Sequence, residues 1–154
     1  EDIRQALASF PGVRHRMEEL GLYDDVLYVN DSKATNPEAV MKALDSFNQP
    51  IILIAGGRNK GSSFSQLAGL IKQKVRELVL LGEAREEIKD AVIDAGFRNI
   101  HEVEDLQAAV IKAHELARKG EVVLLSPACA SWDMFASYEQ RGDLFCEMVK
   151  SISG

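Results

Sequence analysis

With 154 residues, 46% of them hydrophobic and 27% charged, the chain has the composition of one soluble globular domain, long enough to bury about two thirds of its unfolded surface without staples. A net charge of −6 and few aromatic residues exclude a nucleic-acid surface, which needs clustered lysine and arginine, so an anionic ligand must be held by local cations. No apolar run approaches the roughly 20 residues of a membrane helix, no secretion signal is visible at the start, and two distant cysteines, Cys129 and Cys146, give neither a disulfide framework nor metal-ligand spacing. The expectation is a cytoplasmic monomer without nucleic-acid or membrane partners and without a metal site of its own.

The first residues read as a helix from Asp2 to Phe10, broken at Pro11-Gly12, then a basic turn, Val13-Arg14-His15-Arg16, ahead of Met17-Glu18-Glu19-Leu20. A segment this charged reads as a solvated leader or as a linker from a longer protein, and His15 beside two arginines could face a nucleotide phosphate. Val26 to Val29 is a short strand, rich in β-branched and aromatic residues. After Asn30-Asp31-Ser32-Lys33-Ala34-Thr35, the run Asn36-Pro37-Glu38 sets a cap, a first-turn proline and a first-turn acid in the order a helix start prefers. Val40, Ala43, Leu44 and Phe47 then recur on one helix face.

Pro50 opens the next strand, Ile51 to Ala55, whose unbroken apolar character suits a parallel strand covered on both faces. A glycine loop from Gly56 to Ser63 follows, and Phe64, Leu67, Ile71 and Val75 mark the next helix. Glu77 to Leu81 is a third strand, with Ile88, Ala91, Val92 and Ala95 on the helix after it. Asn99 to Val103 is a short fourth strand; Leu106, Ala109, Val110, Ala113 and Ala117 mark its helix. Val122 to Leu125 is the fifth strand. It stops at Ser126-Pro127, where the proline disfavours helix before it, and passes through small residues to a helix restarting near Ser131. From about Asp133 that helix carries Phe135, Tyr138, Phe145 and Val149, running past Arg141-Gly142.

Strands and helices alternate with short connections, so the architecture is an α/β, doubly wound, mostly parallel sheet flanked by helices. Loops after parallel strands emerge at one edge, where ligands sit. The loops at 30–36, 56–63 and 126–132 should therefore face a common cleft.

The glycine loop misses the phosphate-loop pattern, because Gly61 is followed by Ser62 while Lys60 precedes it, and no Gly-x-Gly-x-x-Gly is present. Asp31-Ser32-Lys33-Ala34-Thr35 resembles the Asp-x-Asp-x-Thr of aspartyl phosphatases except that Lys33, which cannot protonate a leaving group as an acid would, replaces the second aspartate. Cys129 would need a nearby base to act as a nucleophile, and His101 and His114 fall on or near the fourth strand and its helix. Ser131 reads equally as a helix cap and as a ligand-binding hydroxyl. The loops together offer cations (Lys33, Arg58, Lys60), hydroxyls (Thr35, Ser131) and helix N-termini, a set suited to a small dicarboxylate.

Four segments, 10–18, 30–37, 56–61 and 125–135, resemble in order and spacing the C-terminal domain of the Mur ligases, the Rossmann-like module of the enzymes that build the peptidoglycan peptide, and in particular the branch that adds D-glutamate. That resemblance implies residues 1–20 as a leader from a missing central domain and residues 21–154 as the C-terminal domain, in a three-domain, ATP-dependent, amide-forming ligase. It implies UDP-N-acetylmuramoyl-L-alanine, D-glutamate and ATP as substrates, an acyl phosphate intermediate, and Mg2+ and ATP bound mainly by the central domain. By the same resemblance Thr35, Lys60, Ser131 and Tyr138 bind D-glutamate, while Arg16, Asp31, Lys33 and His15 serve the nucleotide, with no catalytic residue certain in this domain. Tyr138 and Ser137 stand where the family is expected to carry Phe and Asn. A sister ligase domain, such as that of folylpolyglutamate synthetases, and a non-catalytic anion-binding module are the alternatives. The domain alone is expected to be inactive.

Overall fold

Apolar strands alternating with one-faced helices close into a single sheet in the computed structural model of the chain, which describes residues 13–152. In chain order the elements are β1 (Glu18–Tyr23), β2 (Val26–Asn30), α1 (Pro37–Asp45), β3 (Ile51–Gly56), α2 (Ser65–Lys74), β4 (Val75–Leu81), α3 (Arg85–Asp94), β5 (Ile100–Glu102), α4 (Leu106–Leu116), β6 (Val122–Leu125) and α5 (Tyr138–Ile152). The helix expected from Asp2 to Phe10 and its break at Pro11-Gly12 lie outside the described residues. The sheet order is β1-β2-β6-β3-β4-β5, parallel throughout except for β1, which runs antiparallel to β2.

Period-two packing explains why the central strands are apolar without interruption. Ile51, Leu53 and Ala55 of β3 pack with α1, α2 and α3 in one core, whereas Ile52 and Ile54 pack with α4 and α5 on the other side of the sheet. All of β3 is buried as a result. The doubly wound α/β class holds, and α1 begins as expected, with the Asn36 side chain accepting from the Ala39 N–H and Pro37 in the first turn.

Val75, expected on the helix after the glycine loop, opens β4 instead, and two further elements depart from expectation. β1, a strand not expected from Glu18-Glu19, joins β2 through a two-residue turn in which Asp24 and Asp25 both take positive φ (54° and 64°). The last helix starts at Tyr138 rather than near Asp133, so Phe135 lies before it and Ser131 is not its cap. Its start is fixed instead by Ser137, whose Oγ accepts from the Gln140 N–H at 3.1 Å, and by Gln140, whose Oε1 accepts from the Ala136 N–H at 2.7 Å. Among the described residues no helix is long and apolar enough to cross a membrane.

Because β6 lies between β2 and β3, the loops leaving β2, β6 and β3 are neighbours at the carboxyl edge of the sheet.

Candidate functional site

Backbone hydrogen bonds stitch these three loops together. The Asp31 N–H donates to Leu125 O at 2.7 Å, the Gly56 N–H to Pro127 O at 2.9 Å and the Ala128 N–H to Ala34 O at 2.9 Å. Arg58 and Ala130 exchange N–H donors at 2.9 and 3.0 Å, so the glycine loop runs antiparallel to the stretch after β6. Thr35, Lys60 and Ser131 therefore hang from loops bonded to one another. Thr35 is half-buried and adjoins the Ala34–Ala128 bond, Ser131 is buried next to Ala130, and exposed Lys60 lies over the ring of Trp132, the residue after Ser131.

Side chains reinforce the same junction. Arg141 of α5, which is 3% exposed, donates from Nε to Ser32 Oγ (2.9 Å), from Nη2 to Ser32 O (2.8 Å) and from Nη1 to Cys129 O (3.2 Å). Ser32 Oγ in turn donates to Tyr138 O at 2.8 Å. One buried guanidinium thus holds the loop after β2, the loop after β6 and the last helix. Burial pushes its pKa down, to about 10, which leaves it charged at neutral pH. Sequence reading reached Arg141 as part of the stretch after β6 without giving it this part, because its partners lie on another loop.

The residues expected to serve a nucleotide divide. Arg16, Asp31 and Lys33 line a cavity of about 480 Å³ together with Asn36, Lys42 and Ser46, in the size range of small-molecule sites. His15 does not line it. Its ring is buried against Gly142 of α5, where a Cβ would collide with the imidazole, and its edge faces the Tyr138 ring at 6.0 Å. Asn30 fixes its tautomer: Asn30 Oδ1 accepts from the Ser32 N–H at 3.1 Å, so Nδ2 donates to His15 Nδ1 at 2.9 Å and the ring proton lies on Nε2, 3.6 Å from Asp143. Tyr138 also changes company, since its hydroxyl accepts from Lys33 Nζ at 3.0 Å and so joins the two residue groups.

Asp31 is 4% exposed, with Oδ1 accepting from the Met17 N–H at 3.0 Å and Oδ2 from Ser126 Oγ at 2.7 Å. Occupied in this way, it is not placed as a phosphatase nucleophile. Burial, outweighing those hydrogen bonds and the Arg16 charge, raises its pKa above the ordinary 3.8. The unfolded carboxyl ionises first as pH rises, so this group's contribution is full below about pH 4 and is lost as pH passes the raised folded value. Asp31→Asn is expected to flatten the fall in stability above about pH 4, read by urea denaturation at a series of pH values; superimposable pH profiles for the two proteins would count against it.

Cys129 is buried and its thiol is pushed up to about 12 by that burial, so it supplies no thiolate at neutral pH. His101 Nε2 pairs with Glu77 Oε1 at 2.8 Å and His114 Nδ1 with Tyr28 Oη at 3.1 Å, which gives Cys129 no base. Among the described residues no group of three His, Cys, Asp or Glu side chains is arranged to hold a metal ion. The set can orient an anionic ligand and hold phosphate-bearing groups with Arg16, Lys33 and Lys42.

The family described as "Mur ligase, glutamate ligase domain" matches residues 15–129. The chain is 52% identical over 146 residues to the UDP-N-acetylmuramoylalanine–D-glutamate ligase of Pelotomaculum thermopropionicum, covering 95% of this chain and 32% of that protein. It is 53% identical over 150 residues to the enzyme of the same name from Caldicellulosiruptor saccharolyticus, covering 97% of this chain and 33% of the relative. The chain thus spans about a third of the length of the curated relatives it matches. The crystal structure of the bifunctional folylpolyglutamate synthase/dihydrofolate synthase of Yersinia pestis shares the fold, with a TM-score of 0.64 at 12% identity, covering 90% of this chain and 32% of that one.

Proposed function

Because the chain belongs to the Mur ligase family, as its glutamate ligase domain, we propose that it presents D-glutamate to UDP-N-acetylmuramoyl-L-alanine within a longer ATP-dependent ligase. The observation that carries this reading is the bonding of the loops bearing Thr35, Lys60 and Ser131 at one sheet edge, beside a cavity lined by Arg16 and Lys33. In this reading Lys60 pairs with a carboxylate of D-glutamate, the Thr35 and Ser131 hydroxyls bond its other oxygens, and Tyr138 closes the site. Held this way, the amine keeps one orientation toward the carboxyl to be amidated, which supplies proximity rather than proton transfer.

Arg16, Lys33 and Lys42 suit the phosphates and ribose-side polar groups of ATP, with Asp31 holding the turn that carries Arg16. ATP, bound with Mg2+ mainly by a central domain outside this chain, supplies the phosphoryl group that activates the substrate carboxyl as an acyl phosphate. The approach from that domain is read in the residues that precede the Arg16 turn, since β1 already belongs to the sheet. His15 acts behind this surface, as a wedge between the Arg16 turn and α5. The half-identity to D-glutamate ligases, against 12% to the folylpolyglutamate enzyme, favours D-glutamate over a folate-linked substrate.

Lys60→Ala in the full-length ligase is expected to raise the KM for D-glutamate about 10- to 150-fold, the loss of one charge-assisted hydrogen bond, with the KM for ATP little changed. Arg16→Ala should do the reverse. Steady-state kinetics in both substrates read the two effects, and equal changes in both constants for Lys60→Ala would sink the assignment.

A further inference from the structure

The glycine loop treats its two cations differently. Arg58 donates from Nε and Nη2 to the two carboxylate oxygens of Glu83, at 3.2 and 3.1 Å, so a neighbouring acid neutralises its charge. Lys60 instead has its Nζ 5.8 Å from the ring centroid of Trp132. An aromatic face attracts an ammonium through its quadrupole but brings no negative charge, so it restrains the cation and leaves that charge for an incoming anion.

Both partners hang from fixed backbone. The Asn59 side chain closes the turn that carries Lys60, with Oδ1 accepting from the Ser62 N–H at 2.9 Å and Nδ2 donating to Ser62 O at 3.0 Å. On the other side, the carbonyl of buried Ser131 accepts from the N–H groups of Met134 (3.1 Å) and Phe135 (2.8 Å), which locks the turn presenting the indole. Trp132 is the only tryptophan of the chain and is 61% exposed. Little of its surface is spent on the core, and its face is turned to the lysine.

We propose that Trp132 is a positioning residue, whose indole face holds the Lys60 ammonium at the rim of the cleft, ready for the carboxylate of an acidic amino acid. A free lysine side chain samples many rotamers, and holding it beforehand lowers the ordering cost at binding. The inference rests on the carboxylate-binding reading of Lys60 given above.

Two measurements separate the inference from that reading. In the 154-residue chain, Lys60→Met is expected to raise the emission intensity of Trp132, because an ammonium over the ring quenches the excited indole, whereas Arg58→Met leaves it unchanged. In the full-length ligase, Trp132→Leu is expected to raise the KM for D-glutamate about 2- to 5-fold at unchanged kcat and unchanged KM for ATP, with Trp132→Phe close to the parent. In a Lys60→Ala background the leucine substitution should add nothing. Emission indifferent to Lys60→Met, a phenylalanine variant as impaired as leucine, or additive effects in the double variant would each overturn the positioning role. If Lys60→Ala itself leaves the KM for D-glutamate unchanged while the emission responds, the carboxylate reading fails, and the positioning role with it.

Discussion

Gly56→Ala is expected to cost about 2 to 5 kcal/mol of stability, the sum of backbone strain and overpacking in a site without slack. Gly56 ends β3 at φ +132°, a conformation that L side chains rarely adopt, and an added Cβ would collide with the carbonyl oxygen of Leu81 on the adjacent β4. The obstacle is backbone at the sheet centre, which cannot swing away as a flexible side chain would. Its N–H also donates to Pro127 O, so any shift of β3 drags the loop after β6 with it. Gly69 in α2 is the control: a Cβ there meets nothing within 4 Å, and Gly69→Ala should gain about 0.5 to 1 kcal/mol from helix propensity. Urea denaturation of the two variants beside the parent decides the matter, and a Gly56→Ala midpoint equal to the parent's would contradict the geometry.

Arg141→Met should cost about 3 kcal/mol, because it keeps most of the stem while removing three charge-assisted hydrogen bonds and depriving the Ser32 and Cys129 carbonyls of a buried donor. Lysine is not expected to rescue it, since one ammonium cannot reproduce a fork reaching two loops at once. The effect should extend beyond stability. With the common anchor gone, the loops of Thr35 and Ser131 keep only their backbone bonds, so on the function proposed above the KM for D-glutamate in the full-length ligase should rise even at temperatures where the variant is fully folded. Thermal unfolding and kinetics on the same preparation test both halves; a destabilised variant with an unchanged KM would leave Arg141 a purely structural residue.

What the sequence revealed and what it hid follow from how local each cause is. The run Ile51-Ile52-Leu53-Ile54 announces a strand covered on both faces because every side chain in it must find a core, and each does. Asn36-Pro37 announces α1 because a cap needs only its own first turn. By contrast β1 is held by pairing with β2, and its Asp-Asp turn takes positive φ at residues that rarely do so, leaving no Asn-Gly signature to read. The small residues after Pro127 imitate a helix start, whereas the spacing of Ser137 and Gln140 was the readable sign of the true one. At the site, the meeting of the three loops was legible from strand-loop order alone. How the two residue groups sort was not, because His15, of the nucleotide group, is placed by a glycine on the last helix, and Tyr138, of the D-glutamate group, meets a lysine of the loop after β2.

The wedging of His15 under α5 has a mechanical corollary. The Lys33 N–H donates to His15 O at 2.9 Å and the Met17 N–H to Asp31, so residues 15–17 are lashed to β2 and its loop on both sides of Arg16. In the longer ligase proposed above, the backbone bearing Arg16 would keep its place beside the loop of Lys33 if the domain moved as a body, so the turn that lines one wall of the cavity would need no rebuilding.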